Sequence, residues 1–340
     1  MTQVLEGPRV VAVIPGPSTG PSMIFCKRLV AGLQAAGLPV RPFFLASRTS
    51  PTVLAREWLR LRRELAEFKA ELVHAQFGSM TALVCATATA LPLVATFHGS
   101  DLNPAVADSW LRNTLGHLFS HLSALRARRI ICVSHELKDR LSWCAGRVTV
   151  LPAGADPELF RPGPRDEARE ELGWNGDDRV VLFYASQTPH AKRLDLAVAA
   201  LESVRRRLPT ARLEIVYGGV EPDRMPLLMK ASDCLLVTSE REGMPTIVQE
   251  ALVCNLPVIS TDVGDVKRYL ESVEWSRLVE RDPEAIADAL LSVLRQPRRS
   301  NGREVARGVH LPEIVTRTIE LYREAVGYSA PRPSQAATRW

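Results

Sequence analysis

The sequence contains no hydrophobic run of the roughly 18 residues that a membrane-spanning helix needs. Its N-terminal end also lacks the basic stretch and apolar stretch of a secretory leader, so we do not expect secretion by that route. The six cysteines are scattered, without a Cys-x-x-Cys pair or a Cys/His cluster of zinc-ligand spacing. We therefore expect reduced thiols in a cytoplasmic protein that binds no metal.

The composition is that of an ordinary globular protein. Hydrophobic residues make up 46% and charged residues 24% of the 340 positions, which excludes a disordered chain or a fibre. The net charge of +5 is unevenly distributed, because residues 1–155 contain 17 basic and 9 acidic side chains. A basic first half indicates an anionic partner, such as lipid headgroups, nucleic acid or a phosphorylated substrate, or simply a basic solvated surface.

Short runs rich in Val, Ile and Leu alternate with segments of helical period, which is typical of parallel sheets covered by helices. The predicted strands are Val10–Ile14, Val40–Leu45, Leu72–His74, Leu93–Phe97, Arg129–Val133, Val148–Leu151, Val180–Tyr184, Leu213–Tyr217, Cys234–Val237 and Val258–Ser260. The predicted helices lie near residues 22–37, 52–69, 79–89, 104–127, 135–143, 192–207, 224–231, 245–254, 284–295 and 312–326. The pattern predicts an α/β protein with doubly wound sheets.

A stretch rich in Pro, Gly and charge, residues 151–170, separates two such series and predicts a linker. We therefore predict an N-terminal domain over residues 1–155 and a C-terminal domain over residues 156–311. A helix over residues 312–327 is expected to pack back on the first domain, followed by a flexible tail over 328–340. Ligands of doubly wound sheets bind beyond the carboxyl ends of the strands, so functional residues should follow strands.

The most informative segment follows the third predicted strand of the second domain. Pro245 is suited to the first position of a helix, and Gly243 allows close approach of the backbone to a ligand. The free N–H groups and the dipole at such a helix start favour a phosphate or diphosphate. Glu250 lies one turn beyond Thr246 on the same face and can accept hydrogen bonds from two neighbouring hydroxyls. Glu242 lies before the helix, at the mouth of the expected site.

Two glutamates eight positions apart are common by chance, but here they belong to a longer pattern. Ala251 and Leu252 follow the pair, and a strand and a turn at Gly264 come next. This pattern resembles the signature of retaining glycosyltransferases of the GT-B fold, family 4. Further segments that resemble the family in the same order are residues 72–78, 92–101, 130–134, 151–160 and 191–196. The resemblance implies two Rossmann-like domains facing each other across a cleft.

The resemblance implies that a nucleoside-diphosphate sugar is held mostly by the second domain. Glu250 would bind the ribose hydroxyls, and Glu242 would contact the donor sugar. Lys192 would place its ammonium on the diphosphate and neutralise charge as the nucleotide leaves. The other donor-binding residues that it implies are Gly243, Met244, Pro245 and Thr246.

From the first domain, the resemblance implies a catalytic role for His98 and an acceptor-side position for Asp101. Gly16 and Gly20 would form a loop close to the donor. The implied chemistry is glycosyl transfer with retained configuration, in which lysine and helix dipoles make a metal or other cofactor unnecessary. We expect His74 to be structural, because its neighbours are apolar.

The sequence departs from the family pattern beside the predicted diphosphate site. Ser186 and Gln187 stand where the family usually has Gly and Arg. Gln187 can donate a hydrogen bond to a phosphate but carries no charge. Either Arg193 substitutes for the missing arginine, or the diphosphate is bound more weakly. The chain is also short after Gly219, where the family surrounds the base, so the sequence does not identify the nucleotide.

The predicted helix near residues 52–69 has an apolar stripe flanked by arginines. Leu54, Trp58, Leu61, Leu65 and Phe68 form this stripe. The pattern favours an ordinary helix packed on the sheet. The alternative is attachment to an anionic membrane surface, where lipid-linked acceptors are found.

The sequence as a whole predicts a cytoplasmic glycosyltransferase, either free or peripheral at the inner face of the membrane. Its acceptor would be a saccharide, a lipid-linked molecule or a small molecule, in cell-surface polysaccharide or glycolipid synthesis, and nucleic acid is not expected as a partner. A nucleotide-sugar epimerase of the GT-B fold and a non-catalytic nucleotide-sugar-binding homologue are the alternatives. A dinucleotide-dependent dehydrogenase is disfavoured, because no G-x-G-x-x-G follows the first strand of either half.

Overall fold

A computed structural model describes residues 7–103, 110–221 and 223–328 of the chain. The first residues of the helix predicted from residue 104, and all but the first residue of the tail predicted from residue 328, lie outside the described residues. The described chain divides into two compact units, each built on one parallel sheet. This architecture confirms the predicted α/β fold class.

The first unit comprises the chain as far as Val133, then Leu137–Leu151, and the described chain from Ile314 onward. Its strands are β1 (Val10–Pro15), β2 (Val40–Leu45), β3 (Leu72–Ala75), β4 (Leu93–Phe97), β5 (Arg129–Cys132) and β6 (Val148–Val150). Its sheet has the order β2-β1-β3-β4-β5-β6, with all strands parallel. Along the chain the helices are α1 (Ile24–Ala35), α2 (Pro51–Glu67), α3 (Ser79–Ala88), α4 (Trp110–Arg126) and α5 (His135–Asp139), with a 3₁₀ helix over Ser142–Arg147.

Helix α2 packs on the core of the first unit. Leu61 and Leu65 are buried in that core, and Leu54, Trp58 and Phe68 are half-buried against it. The apolar stripe seen in the sequence is therefore the face that packs inward. This confirms the ordinary helix that the pattern favours, and attachment of α2 to an anionic membrane surface stays a prediction.

A buried hydrogen-bond chain joins the C-terminal helix to the first sheet. His74 on β3 is fully buried, with Nδ1 2.6 Å from the hydroxyl of Tyr322 and Nε2 2.7 Å from Oγ1 of Thr96. Burial lowers the pKa of His74 to about 3, so the ring is neutral. Both ring nitrogens have partners within the protein, which confirms the structural role predicted for His74.

The second unit comprises Ser134–Glu136 and Pro152–Glu313. Its strands are β7 (Arg179–Tyr184), β8 (Ala211–Val216), β9 (Cys234–Val237), β10 (Val258–Thr261) and β11 (Arg277–Val279), in the parallel order β11-β10-β9-β7-β8. Its helices are α6 (Arg165–Leu172), α7 (Leu194–Arg207), α8 (Arg224–Ala231), α9 (Thr246–Val253), α10 (Val266–Leu270), α11 (Pro283–Leu294) and α12 (Gly302–Val305), and a 3₁₀ helix covers Arg307–Val309. Helix α13 (Leu311–Val326) starts at the end of this unit and continues into the first.

The segment predicted to be a linker contains a helix. Helix α6 follows Pro164 and ends at Gly173, which adopts a left-handed conformation with φ of 67°. A proline before the first turn and a glycine after the last are typical helix boundaries. The prediction of an irregular linker over residues 151–170 is wrong at its end, because the charged residues there form α6. The short elements β11, α10 and α12 were also not predicted.

The buried side chain of Arg169 links α6 to the second sheet. The guanidinium of Arg169 is 2.9 Å from the carboxylate of Asp233 and donates to the carbonyls of Ala231 and Asp178. Asp233 also accepts a 2.7 Å hydrogen bond from the backbone N–H of Val180. Both charged side chains are buried, and Asp233 has a second guanidinium partner in Arg165, at 2.8 Å.

We expect Arg169→Leu to lower the free energy of unfolding by about 3 kcal/mol, because it removes the fully buried partner of Asp233, leaving Arg165 to pair with that carboxylate, and leaves the carbonyls of Ala231 and Asp178 without their guanidinium donor. Urea denaturation followed by circular dichroism measures the loss. Arg207→Leu is the matched control: Arg207 pairs with Asp288 on the surface, and this pair should contribute less than about 1 kcal/mol. Equal effects of the two substitutions would contradict the role assigned to Arg169.

The structure also bears on membrane-spanning helices and on the state of the cysteine side chains. Within the described ranges, no helix is both long enough and apolar enough to cross a lipid bilayer. All six cysteines are buried free thiols, as predicted from their spacing.

Candidate active site

The candidate site lies beyond the carboxyl ends of β7 and β9, which are neighbours in the second sheet. Lys192 lies in the turn after β7, directly before α7, and Glu242 lies in the loop after β9. The ammonium of Lys192 and the carboxylate of Glu242 form an ion pair. Each side chain is about one-fifth exposed, at 19% and 20%, so the pair remains open to a ligand.

Backbone contacts hold these two loops together. Thr238, just after β9, donates through Oγ1 to the carbonyls of Lys192 and Arg193, at 2.8 and 3.0 Å. The N–H of Glu240 donates to the carbonyl of Ala191 at 3.0 Å. The positions of the ammonium and of the Glu242 loop are therefore fixed relative to each other by the second unit alone.

Helix α9 begins at Thr246, and Pro245 is its N-cap rather than its first residue as predicted. The difference has no chemical consequence, because the proline lacks an N–H group in either position and the helix start remains where the resemblance requires it. The first N–H groups of an α-helix have no acceptor within the helix and carry its positive dipole end. Pro245 and Ile247, at this helix start, line the same small pocket as Glu242 and Lys192.

A buried glutamine supports the start of α9. Gln249 is fully buried, and its Nε2 donates to the carbonyl of Met244 at 3.1 Å, while its Oε1 accepts from the N–H of Gly154 at 2.8 Å. Gln249 was not among the predicted site residues. The available signal is that a polar residue occupies the apolar side of α9, where an amide must find partners on both its oxygen and its nitrogen.

Gly264 packs directly on the candidate site. It has a left-handed backbone with φ of 53°, and a Cβ there would lie 1.7 Å from the carbonyl oxygen of Gly243. The next N–H, of Asp265, donates to that same oxygen at 3.0 Å. Only glycine fits this position, and the turn at Gly264 holds the loop that carries Gly243.

Tyr184, the last residue of β7, belongs to the site but was not predicted. It lines a small pocket together with Lys192, Glu242 and Pro245. Burial raises the pKa of Tyr184, the carboxylate of Glu250 raises it further, and a side-chain hydrogen bond with Ser186 opposes both. The ribose contact of Glu250 remains a prediction. The signal in the sequence is a tyrosine that ends an otherwise apolar strand.

The two residues proposed to replace the missing arginine differ in their surroundings. Gln187 lies beside Gly218. A Cβ added at residue 218 would be 3.6 Å from Cγ of Gln187. Arg193 points its guanidinium at Asp195, with Nη2 and Oδ2 2.8 Å apart, and this hydrogen bond raises the pKa of Arg193. Direct contact of either residue with a diphosphate remains a prediction.

In the first unit, Asp101 organises the loop after β4. Its buried carboxylate accepts hydrogen bonds from the N–H groups of His98, Gly99 and Gly78, at distances of 2.8 to 3.1 Å. A carboxylate with this many backbone donors fixes its loop in one conformation. Asp101 therefore positions His98, and the acceptor contact predicted for it remains a prediction.

The ring of His98 has aromatic neighbours. Phe25 lies 4.8 Å away and Phe77 6.0 Å away between ring centroids, and Nε2 is 3.8 Å from Sγ of Cys26. Burial lowers the pKa of His98, and the charge of Asp101 opposes the shift. Gly16 and Gly20 follow β1 with φ of 101° and 77°. The roles of His98 and the two glycines remain predictions.

Comparisons with known proteins identify the family of the chain. Residues 9–159 match the family model described as Glycosyltransferase Family 4, and residues 215–307 match that of Glycosyl transferases group 1. The chain is 28% identical over 285 residues to the putative teichuronic acid biosynthesis glycosyltransferase TuaC of Bacillus subtilis, covering 75% of this chain and 70% of TuaC.

Solved structures share the fold. A sucrose-phosphate synthase from Thermosynechococcus elongatus matches with a TM-score of 0.78 at 19% identity, over 94% of this chain and all of that chain. Anabaena HepE in complex with UDP matches with a TM-score of 0.69 at 16% identity, over 93% of this chain and all of HepE. At these identities the likeness establishes the fold.

Two parallel sheets, each with alternating helices, are the architecture of the GT-B fold. With both halves matched by their family models, the chain belongs to the group 1 glycosyltransferases of family 4. The resemblance stated from the sequence motifs is thereby confirmed.

Proposed function

We propose that this glycosyltransferase transfers a sugar, with retained configuration, from a nucleoside-diphosphate sugar to a saccharide, lipid-linked or small-molecule acceptor. One observation carries the proposal: the ammonium of Lys192 and the amide-rich start of α9 lie in the same site, beside Glu242. A cation and a helix N-terminus together suit a diphosphate better than any neutral ligand.

In this proposal the ammonium of Lys192 changes its partner from the Glu242 carboxylate to the donor diphosphate when the donor binds. Without donor, the ammonium pairs with Glu242. When the diphosphate binds, its oxygens compete for the ammonium, and the Glu242 carboxylate becomes available to the hydroxyls of the donor sugar. As the bond between the sugar and the phosphate breaks, negative charge grows on the leaving diphosphate, and Lys192 and the helix N–H groups stabilise it. We propose that these groups make a metal ion unnecessary.

The relatives guide the choice of nucleotide and setting. HepE is described in complexes with UDP and with UDP-glucose, and TuaC is named for teichuronic acid biosynthesis. We therefore propose a uridine diphosphate donor and a role in cell-surface polysaccharide or glycolipid synthesis, in the cytoplasm.

A thermal-shift screen of UDP-, GDP- and ADP-sugars tests the proposal. A ligand that binds only the folded protein raises its melting temperature, so the true donor should produce the largest rise. Donor hydrolysis then separates the candidate functions. A transferase slowly releases nucleoside diphosphate, an epimerase changes the sugar without releasing it, and a non-catalytic binder does neither. A rise in melting temperature with neither release of nucleoside diphosphate nor any change in the sugar would favour the binder, for which Gln187 in place of arginine is the supporting observation.

We expect Gly264→Ala to reduce donor affinity at least tenfold. The added Cβ would overlap the carbonyl oxygen of Gly243, so the loop must move away from the helix start that binds the diphosphate. Isothermal titration with the nucleoside diphosphate measures the change. Gly308→Ala is the matched control, because a Cβ there meets no heavy atom within 4 Å. Unchanged affinity in Gly264→Ala would contradict the assigned role of the Gly243 loop.

A further inference from the structure

Helix α4 buries small and polar residues and exposes leucines, which is the opposite of an ordinary surface helix. The side that packs into the first unit carries small or polar residues, with Ser120, Ser123 and Ala124 fully buried. Its outer side carries four leucines that are 41 to 60% exposed, namely Leu115, Leu118, Leu122 and Leu125. A surface helix ordinarily turns its leucines inward and its serines toward water.

The four leucines form one continuous stripe, which we call the α4 stripe. Their spacings of three, four and three residues place them on one face of the helix, within about a quarter of its circumference. Single exposed leucines are common on protein surfaces, but a contiguous apolar patch marks an interaction site. The reversal therefore needs a partner that covers the stripe.

A basic pocket adjoins the end of this stripe. Its cavity of about 800 Å³ is lined by Leu125 and by four arginines, and we call it the arginine pocket: Arg126, Arg128, Arg129 and Arg147. One carboxylate, that of Glu324, offsets part of this charge by pairing with Arg129 at 3.0 Å. The pocket keeps a net positive charge and has room for an anionic group.

The protein holds two of these guanidinium groups in place. Arg126 donates to the carbonyl of Leu91 at 3.0 Å, and Arg147 donates to that of Ala127 at 2.7 Å. Arg147 also lies 5.9 Å from the ring of Trp143, which is 47% exposed. An exposed tryptophan and the pre-positioned arginines extend the α4 stripe into one amphipathic surface.

We propose that the α4 stripe and the arginine pocket together dock on a membrane that contains anionic phospholipid. The leucines and Trp143 enter the interfacial region, and the arginines bind headgroup phosphates. The surface lies wholly in the first unit, so the proposal does not depend on the donor chemistry of the second.

Charge distinguishes a lipid surface from a second copy of this chain. Helix α4 contains no Asp or Glu in its 17 residues. A second copy packed along the stripe would bring the arginine pocket against its equivalent or against the positive end of the partner's α4, and neither supplies a carboxylate from that helix. Anionic lipid offers both the apolar layer and the negative charge.

Co-sedimentation with vesicles tests the proposal. The full chain should pellet with phosphatidylcholine vesicles that contain phosphatidylglycerol and remain in solution with phosphatidylcholine alone, and added salt should weaken the binding. Binding to neither vesicle, or equal binding to both, would overturn the proposal.

Matched substitutions locate the surface. Leu122→Asp should reduce vesicle binding at least tenfold, whereas Leu59→Asp, at a 52% exposed leucine on α2, should leave it unchanged. Arg128→Gln should reduce binding several-fold, whereas Arg63→Gln on α2 should not, since both arginines are exposed. Equal effects on the two helices would overturn the assignment to α4.

Light scattering tests the alternative that a second copy of the chain covers the α4 stripe. If the wild-type chain is a dimer that Leu122→Asp converts to a monomer without any change in vesicle binding, the face joins copies of the chain and the proposal is wrong. Without any donor, all four variants should unfold in one cooperative transition near the melting temperature of the wild-type chain, which shows that each is folded and keeps this test independent of the proposed function.

Discussion

Glu250→Ala should abolish the rise in melting temperature that the donor produces. Glu250 lies one helical turn beyond Thr246 on α9, and its charge raises the pKa of Tyr184, which lines the candidate site. We propose that it accepts hydrogen bonds from two ribose hydroxyls, and hydrogen bonds to a charged group contribute roughly 1.5 to 3 kcal/mol each. Loss of both should weaken binding by about 100-fold or more, as titration calorimetry with the nucleoside diphosphate would measure.

Glu202→Ala is the control for this prediction, because Glu202 is an exposed helical glutamate on α7 in the same unit. It should leave the donor-induced shift unchanged. Glu250→Gln should fall between the two, since the amide keeps one accepting oxygen and loses the charge. Full donor affinity in Glu250→Ala would show that Glu250 does not bind the ribose hydroxyls.

Glu242→Ala should separate binding from turnover. Removing the carboxylate frees the ammonium of Lys192 from its ion pair, so affinity for the nucleoside diphosphate alone should stay the same or rise. Turnover should fall by about 100-fold or more, because the donor sugar loses the charged group that orients it in the transition state. Release of nucleoside diphosphate from the donor measures turnover, and calorimetry measures affinity.

Two further variants complete this test. Lys192→Ala should lose both affinity and turnover, because the ammonium has no substitute at its position in the site. Glu240→Ala should change neither, since Glu240 is an exposed glutamate two positions from Glu242 and contacts Ala191 through its backbone. A fully active Glu242→Ala enzyme would contradict the proposed role of this carboxylate.

The parts of the candidate site that lie within one short stretch of the chain could be predicted from the sequence. The strand that ends at Val237, the glycine at 243 and the helix start at 246 all lie within a short stretch, so their relative placement follows from local chain geometry. The neighbourhood of Lys192 and Glu242 follows from topology, because β7 and β9 are adjacent and their following loops must meet.

Features that depend on tertiary packing could not be predicted. The composition of α6 suits a helix, with Pro164 before it and Gly173 after it, but its packing on the second sheet depends on the distant pair between Arg169 and Asp233. Tyr184 and Gln249 matter because of partners that are far away in the sequence. In α4 the helical period is clear, but periodicity does not indicate which face turns inward, and here the small residues do.

A crystal structure with a bound nucleoside-diphosphate sugar would test the main claim most directly. The account predicts the diphosphate against the first N–H groups of α9, with the ammonium of Lys192 within hydrogen-bonding distance of a phosphate oxygen and no longer paired with Glu242. Phosphates bound elsewhere, with the pair between Lys192 and Glu242 intact, would contradict it.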